Sequence, residues 1–279
     1  MRATSQFVFK YITLMLFVFW AHPETKAQER TTTGALTFGI GKVSQQDTYL
    51  SPLNFKGTQF SFLRETMRMT HWASEKVSFQ TLLHGAFSFS ENEPKVSNYW
   101  GAHIGYDIAW HRHWKPYDPI CLMAGGLLMS DIGVLYHTRN GNNPAQGRLQ
   151  LQAALSLGAI YRLRIHKQTF SIRYQADIPA IGMMFCPQFG QSYYEISRGG
   201  RNHNICATHP ANAFSLRQML TLDIPIRRYA LRVGYQSHLR QSLANDIRIY
   251  DRSRLFLLGF IRKFTIHQTY TQHKKELQP

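Results

Sequence analysis

Candidate catalytic residues lie close to residue 240. Hydrolysis by a serine nucleophile needs a base within hydrogen-bond reach of the hydroxyl and a third group that orients the base. His238, Ser242 and the neighbours Asn245 and Asp246 offer these residue types. His238 lies six residues after Arg232 in a predicted strand, however, so we expect the two side chains to share an inward face, whereas a lipid-cleaving site would open to the bilayer. The favoured interpretation is a solvated polar loop, and the alternative is a hydrolase site.

A second candidate is the ligand-like spacing of His203, Cys206 and His209. A zinc site requires three or four such ligands in tetrahedral geometry, and no fourth ligand lies nearby, so we predict no metal site. Cys186 and Cys206 lie in the same stretch. In an oxidising compartment a disulfide between them would close about 20 residues and stabilise the loop by roughly 3 kcal/mol.

The same stretch, residues 179–213, holds the candidate binding residues. Tyr193 and Tyr194 can stack on a ligand while their hydroxyls form hydrogen bonds. Glu195 and Arg198 add charges that would orient a polar or anionic partner. Long connections of this kind are often functional, so we predict a binding surface here. The alternative is that the tyrosines only pack the loop against the rest of the protein.

The elements that position these residues are β-strands. From Leu149 to Ile165 apolar residues occupy the odd positions, and mostly polar or small residues occupy the even positions. The alternation is far longer than the roughly 5–6 residues of an ordinary globular strand, and a tilted membrane strand needs about 9–11. The same period predicts ten strands, at residues 34–42, 57–69, 76–89, 97–111, 119–135, 148–165, 169–178, 214–226, 229–240 and 254–264.

The connections between these segments are predicted to have about 14, 6, 7, 7, 12, 3, 35, 2 and 13 residues. Long and short connections alternate, which is typical of outer-membrane barrels. An even number of strands places both termini on the side of the short turns. A soluble β-sandwich is the alternative, but it would have shorter strands and no such asymmetry.

The N-terminus predicts export. Arg2 and Lys10 precede an eleven-residue apolar run, Tyr11 to Ala21, which is too short for a spanning helix of about 20 residues. Small residues before Gln28 favour cleavage after Ala27. No later apolar run is long enough to form a spanning helix, and only helices and closed barrels satisfy their backbone groups in a membrane.

The two faces of the predicted strands suggest the content of the barrel. We expect the interior to hold an ion-pair core of Arg148, Arg162, Arg164, Arg173 and Arg232 with Asp107, Asp177 and Asp223. An anion pathway is the alternative. If the interior has room, the assigned faces of residues 148–165 predict that arginine is tolerated better at the inward Ser156 than at the lipid-facing Leu155. Trp100, Tyr106, Trp110, Trp114 and Tyr161 fit an aromatic girdle.

Three stretches resemble a family of exported Bacteroidetes proteins of unknown function that are predicted to be outer-membrane β-barrels. These are residues 47–53 (DTYLSPL), residues 185–196 (FCPQFGQSYYEI), and residues 230–235 (ALRVGY) with 240–242 (RQS). The GQSYYE stretch is the most specific. The resemblance implies a location and a fold, and it brings no assigned activity.

The sequence therefore predicts an all-β protein, an antiparallel up-and-down transmembrane β-barrel of about 10 strands (8–12). A signal peptide would occupy residues 1–27, the barrel 28–264 and a polar tail 265–279. We expect a non-enzymatic structural, ligand-binding or narrow-channel protein. A barrel enzyme acting on lipid or lipopolysaccharide is the alternative.

The charge balance of 32 Lys and Arg against 16 Asp and Glu calls for anionic surroundings. Export removes the chain from nucleic acid, so we expect outer-membrane lipid and lipopolysaccharide as partners. The barrel-assembly machinery is a further expected partner, because residues 257–264 partly resemble the signal that it reads. No cofactor is expected.

Overall fold

The computed structural model describes residues 30–266 except 142, 167, 201, 227 and 228. The predicted signal peptide lies outside these residues. Most of the predicted tail, residues 267–279, also lies outside them. The first two residues of that tail, 265 and 266, are the end of the last strand.

Eleven strands and one short helix follow one another along the described chain. The strands are β1 (Arg30–Asp47), β2 (Ser51–Met69), β3 (Val77–Asn92), β4 (Asn98–Tyr117), β5 (Ile120–His137), β6 (Ala145–Ile165), β7 (Gln168–Phe185), β8 (Ile205–Thr208), β9 (Ala213–Ile226), β10 (Tyr229–Ala244) and β11 (Ile247–Ile266). Helix α1 (Tyr193–Ser197) lies between β7 and β8.

Ten of these strands form a closed antiparallel barrel, as predicted. Each barrel strand pairs with its neighbours in the chain, β1 lies beside β11, and the pairing of β6 with β7 completes the circle. The short β8 pairs with the end of β7, beyond the part of β7 that pairs with β9. We call the end that holds Arg30 and Ile266 the terminal end, and the opposite end the loop end.

The predicted alternation of longer and shorter connections holds from the β3–β4 connection to the β9–β10 connection, and it is wrong at the two ends of the chain. The first connection has only residues 48–50, and β10 and β11 are joined by Asn245 and Asp246 alone. Both of these turn residues have positive φ, which is the requirement of a tight two-residue hairpin. The strands continue past their apolar segments because ladder hydrogen bonds do not depend on side-chain polarity. Only the connection of residues 186–212 is long.

The two faces of the barrel have opposite polarity. Every barrel strand exposes large apolar side chains on its outer face, among them Leu149, Leu151, Leu155, Leu157 and Leu163 of β6. The inner face buries polar and charged groups such as Glu65, Arg173 and Asp177. The predicted orientation of β6 is confirmed. The predicted girdle residues face outward on β4 and β6, although Tyr106 lies in the middle of β4 rather than at an end.

Close strand contacts require glycine at particular positions. A Cβ atom on Gly125 would lie 1.7 Å from the backbone oxygen of Trp110 on β4, whereas a Cβ on its neighbour Gly126 would meet nothing within 4 Å. The β4–β5 pairing at this point therefore has no room for a side chain at residue 125.

This contrast predicts that Gly125→Ala destabilises the barrel by about 1–3 kcal/mol, the usual cost of overpacking. Gly126→Ala is the matched control and should be neutral or slightly stabilising, because glycine weakens a strand interior. Urea unfolding followed by tryptophan fluorescence measures both. Equal midpoints for the two variants would contradict the assigned contact.

Candidate functional site

A network of charged side chains fills the interior of the barrel. Its first centre is Glu65 of β2, whose carboxylate forms ion pairs with Arg173 of β7 and, at 2.6 Å, with Arg232 of β10. Arg232 also pairs with Asp223 of β9 at 2.7 Å, and Gln80 of β3 donates to Glu65 at 2.8 Å. Glu65 thus joins opposite walls of the barrel.

The second centre is Arg217 of β9, which pairs with Asp107 at 2.7 Å and with Asp177 at 3.0 Å. Asp177 in turn accepts a hydrogen bond of 2.6 Å from Ser156, and the Ser156 hydroxyl lies 2.8 Å from His111 Nε2. All these groups are buried. The carboxylate contacts the serine and not the imidazole, so this arrangement lacks the base–carboxylate contact of a catalytic triad.

The third centre lies nearer the loop end. Asp251 of β11 accepts from Arg148 and from Arg240, each at 3.1 Å, and Arg148 also lies 3.4 Å from Asp47. Each centre joins strands that are distant in the chain. Five members of these centres were not predicted for the core. Asp47 and Asp251 lie outside the predicted strands 34–42 and 254–264, and Glu65 lies in a strand with weak alternation. Arg217 and Arg240 lie within predicted strands but were not assigned to the core.

The prediction that Arg162 and Arg164 belong to the core is wrong: both are exposed, because β6 extends beyond the charged core toward the terminal end. Ser156 is fully buried and hydrogen-bonded to Asp177, so the room that the Ser156 prediction required is absent. The other predicted core residues, Arg148, Arg173, Arg232, Asp107, Asp177 and Asp223, do take part in the network.

Little open space remains among these side chains. One cavity of about 40 Å³ lies toward the loop end and a second of about 20 Å³ lies beside His84 and His238. A water molecule needs roughly 10–15 Å³ of such space, so these cavities hold a few waters at most. The charged network of the described residues is therefore densely packed around these two cavities.

An apolar cluster closes the loop end above this polar core. Phe55 and Tyr99 stack with ring centroids 3.6 Å apart and are fully buried. We call this cluster the lid; its buried members are Tyr49, Leu50, Phe55, Tyr99, Leu135, Met184, Cys186, Ile247 and Ile249.

The long connection contributes Tyr193 to the lid. The Tyr193 hydroxyl accepts from the backbone N–H of Gly147 at 2.6 Å and lies 3.2 Å from Gln146 Oε1. Its ring meets Tyr49 edge to face, and the Tyr49 hydroxyl donates to the backbone oxygen of Gln191 at 2.8 Å. The connection is thus fastened across the mouth of the barrel.

The four predicted binding residues have different roles in the structure. Tyr193 is part of the lid. Glu195 caps α1, because its carboxylate accepts from the Ser192 backbone while the Ser192 hydroxyl accepts from Glu195. Tyr194, 72% exposed, and Arg198 face outward from the protein. Sequence reasoning could not separate these roles, since all four lie within six residues.

The structure also gives the positions of the cysteines and histidines for which a disulfide, a metal site or a hydrolase site was considered. Cys186 and Cys206 pack in one cluster as free thiols, so a disulfide between them stays a prediction. His203, Cys206 and His209 do not bring three ligand atoms together. His238 Nε2 lies 3.3 Å from Ser215 rather than beside Ser242, which follows four residues along β10.

Burial in the lid raises the pKa values of two tyrosines and one cysteine. Desolvation raises the pKa of the Tyr49 phenol to about 12 and that of the Cys186 thiol to about 12. It also raises the pKa of Tyr193. The protonated forms of these groups are therefore the ones that the closed lid stabilises.

Residues 9–270 match the model of a family described as "Protein of unknown function (DUF3316)". The chain belongs to this family. The match covers all of the described barrel, which agrees with the predicted membership of a family without assigned activity. None of the curated proteins matches the chain.

Solved structures that resemble this family member are barrels. The transport unit of the autotransporter AIDA-I from Escherichia coli has 10% identity and a TM-score of 0.44, covering 91% of this chain and 97% of that one. The outer membrane protease OmpT from Escherichia coli has 9% identity and a TM-score of 0.45, covering 88% and 99%. The COG4313 outer membrane channel from Pseudomonas putida F1 has 11% identity and a TM-score of 0.35, and the match covers 88% of this chain and 100% of that one.

The charged network predicts that Glu65→Gln destabilises the barrel by about 3–5 kcal/mol, because it leaves Arg173 and Arg232 without their shared buried counter-charge. Glu91→Gln is the matched control: Glu91 is exposed opposite Lys56, and surface pairs contribute only about 0–1 kcal/mol. Urea unfolding of both variants measures the difference. A cost for Glu65→Gln as small as that of Glu91→Gln would show that Glu65 is not a buried link.

The lid predicts a loss of stability at high pH. The pKa values of Tyr49 and Cys186 in the folded state, about 12, exceed their ordinary values of 10.0 and 9.0. Their stabilising contribution is therefore complete below about pH 9 and is lost as pH rises toward 12. Limited proteolysis should cleave residues 186–212 faster across this range. Tyr49→Phe, which has no phenol to ionise, should show a weaker pH dependence; an unchanged dependence would contradict this origin.

Proposed function

We propose that this protein is an integral outer-membrane barrel with both termini on the periplasmic side and no enzymatic activity. Its role is structural or ligand-binding, with the outer surface of the long connection as the binding surface. The resemblance to exported Bacteroidetes proteins and the predicted signal peptide support export to that membrane.

The observation that carries this proposal is the reversed polarity of the barrel. Leu155 is 59% exposed and Phe256 72%, whereas Glu65, Arg217 and Asp251 are buried. A soluble protein that exposed apolar side chains on every strand would aggregate. A lipid-facing barrel has an apolar outer band and a polar interior. No helix of the described residues is long and apolar enough to cross a membrane.

A basic surface above the apolar band supports contact with anionic lipid headgroups. It comprises exposed residues of the adjacent strands β2, β1 and β11: Lys42, Lys56, Arg248, Arg252 and Arg254. On β1, Lys42 follows the outward Leu36, Phe38 and Ile40 in the direction of the loop end. Such clusters bind phosphate groups of lipids, and lipopolysaccharide is the partner that we propose for this surface.

The closed interior favours a structural or binding role over a channel. The lid and the ion-pair core occupy the interior, and the two cavities found beside them are small, about 40 and 20 Å³. The long connection presents Tyr194, Phe189 and Ile205 to solvent, each at least 60% exposed. Large exposed apolar groups of this kind mark interaction surfaces. Residues 257–264 would be recognised by the assembly machinery before insertion.

Cell fractionation and a heat-modifiability gel test the proposal. The protein should require detergent for release from membranes, and the unheated band should migrate faster than the heated one. Recovery in the soluble periplasm without detergent would overturn the location. Discrete conductance steps of the purified protein in a planar bilayer would overturn the closed interior.

If the outer face of the barrel contacts lipid, the loss of stability caused by an arginine there should depend on its depth in the bilayer. Leu155→Arg lies midway along β6 and should destabilise the barrel in lipid vesicles by about 2–4 kcal/mol. Leu243→Arg, also exposed but next to the end of β10, should cost about 0–1 kcal/mol. Urea unfolding in vesicles measures both. Similar costs at the two sites would mean that the outer face is not embedded in a bilayer.

A further inference from the structure

Two histidines and an aspartate from three consecutive strands meet inside the barrel. His84 of β3, His103 of β4 and Asp131 of β5 place one potential ligand atom each within 4.8 Å of one another. The two imidazole rings lie 6.3 Å apart, edge to face. All three residues face inward and are partly buried. We call them the His84 cluster.

Glycines open the space in which the cluster meets. Gly105 of β4 lies directly between His84 and Asp131 in the strand register. A Cβ atom there would lie 2.5 Å from Cε1 and 2.7 Å from Nε2 of His84. Gly133 lies opposite His103 in the same way, and its Cβ would lie 2.8 Å from the His103 Cβ. Any other residue at position 105 would displace the His84 ring from its place.

The cluster has a polar atom that the described residues do not satisfy. Asp131 Oδ1 is buried and has no hydrogen-bond partner in the described part of the chain. His84 Nε2 is also buried, and it contacts the Asp107 carboxylate at 3.4 Å. Buried polar atoms without partners are costly, and an unplaced ion or water is one of the explanations for them.

The charge of the interior also leaves a place for a cation. The described inward-facing charges include the guanidinium groups of five arginines, Arg148, Arg173, Arg217, Arg232 and Arg240. Facing them are seven carboxylates: Asp47, Glu65, Asp107, Asp131, Asp177, Asp223 and Asp251. Asp131 forms no ion pair with an arginine or lysine within 4.0 Å among the described residues. Among these named side chains, carboxylates outnumber guanidinium groups.

We infer that the His84 cluster binds one divalent first-row transition metal ion, with zinc as the representative. Two imidazole nitrogens and a carboxylate oxygen are a donor set that zinc uses in proteins, at about 2.0–2.2 Å. Donors at tetrahedral angles then lie roughly 3.4 Å apart, which small side-chain rotations reach from the present spacing. The ion would join β3, β4 and β5 at mid-barrel.

Both interior cavities adjoin the site, and His103 lines each of them. The larger cavity also borders Asp131 and the smaller one also borders His84. A water molecule in this space would complete the coordination. The inference does not depend on the membrane location, because it rests only on the interior of the barrel.

Metal content of the full chain tests the inference. The protein is purified in detergent with a tag that contains no histidine, dialysed against zinc and then against metal-free buffer, and analysed by mass spectrometry for zinc. The wild type should retain one zinc per chain. His103→Gln and Asp131→Asn should each weaken binding by at least about tenfold, since even the outer-shell partners of metal ligands contribute 10–100-fold.

Two further variants separate coordination from folding. His113→Gln removes a histidine that contacts Ser78 and Cys121 outside the cluster, and it should retain full zinc binding. Gly105→Ala keeps all three ligands but should lose zinc by displacing His84. Heat-modifiability gels identify the variants that are folded, and cobalt substitution reports direct coordination through its visible absorption bands.

Zinc retention that is equal in wild type, His103→Gln and Asp131→Asn would overturn the site. So would the absence of stoichiometric zinc and of cobalt bands in folded wild-type protein.

Discussion

Pairing of charges across the interior is the constraint on which the rest of the structure depends. A closed barrel of ten strands excludes bulk water from its centre, so each inward carboxylate or guanidinium group needs a partner from another strand. Glu65 meets this requirement by reaching two arginines on the far wall. Arg217 likewise pairs with two carboxylates from other strands, and Asp251, nearer the loop end, pairs with two arginines. The network therefore specifies which strands face each other as well as neutralising the core.

The lid follows from the same constraint. The charged network ends near Asp47 and Asp251, where the strands approach the mouth of the barrel. Above it the side chains change to Phe55, Tyr99 and Ile247, which are fully buried because the long connection lies over them. The backbone of that connection is satisfied by hydrogen bonds to turn residues, including Asn245, whose amide donates to the carbonyls of Cys186 and His203. Ion pairs thus stabilise the polar core, and burial of apolar side chains stabilises the lid above it.

The distribution of charge links the core to the proposed surroundings. The chain has a formal net charge of +16, yet its described interior has more carboxylates than guanidinium groups. The basic excess of the described residues therefore lies on the outside and at the ends of the barrel. In the functions proposed above, lipid phosphates would bind there, and a cation would bind the interior carboxylate of the His84 cluster. The two signs of charge are separated by the wall of the barrel.

Much of the fold follows from the sequence alone. Strict alternation, as in β6, places apolar residues on one face and polar residues on the other, so the barrel, its strand number and the orientation of Leu155 were predictable. Arg148, Arg173 and Arg232 could be assigned to the interior by the same alternation.

The tertiary structure alone decided which groups meet and where the strands end. Ion pairs such as that of Glu65 with Arg173 depend on closure of the barrel, which brings β2 opposite β7. The His84 cluster depends on the register of three strands and on the gap at Gly105, and neither is visible in residue spacing. Strand ends follow hydrogen bonding and the turn at Asn245 and Asp246, not the apolar pattern. Contacts distant in sequence are set by register and closure, which local alternation does not encode.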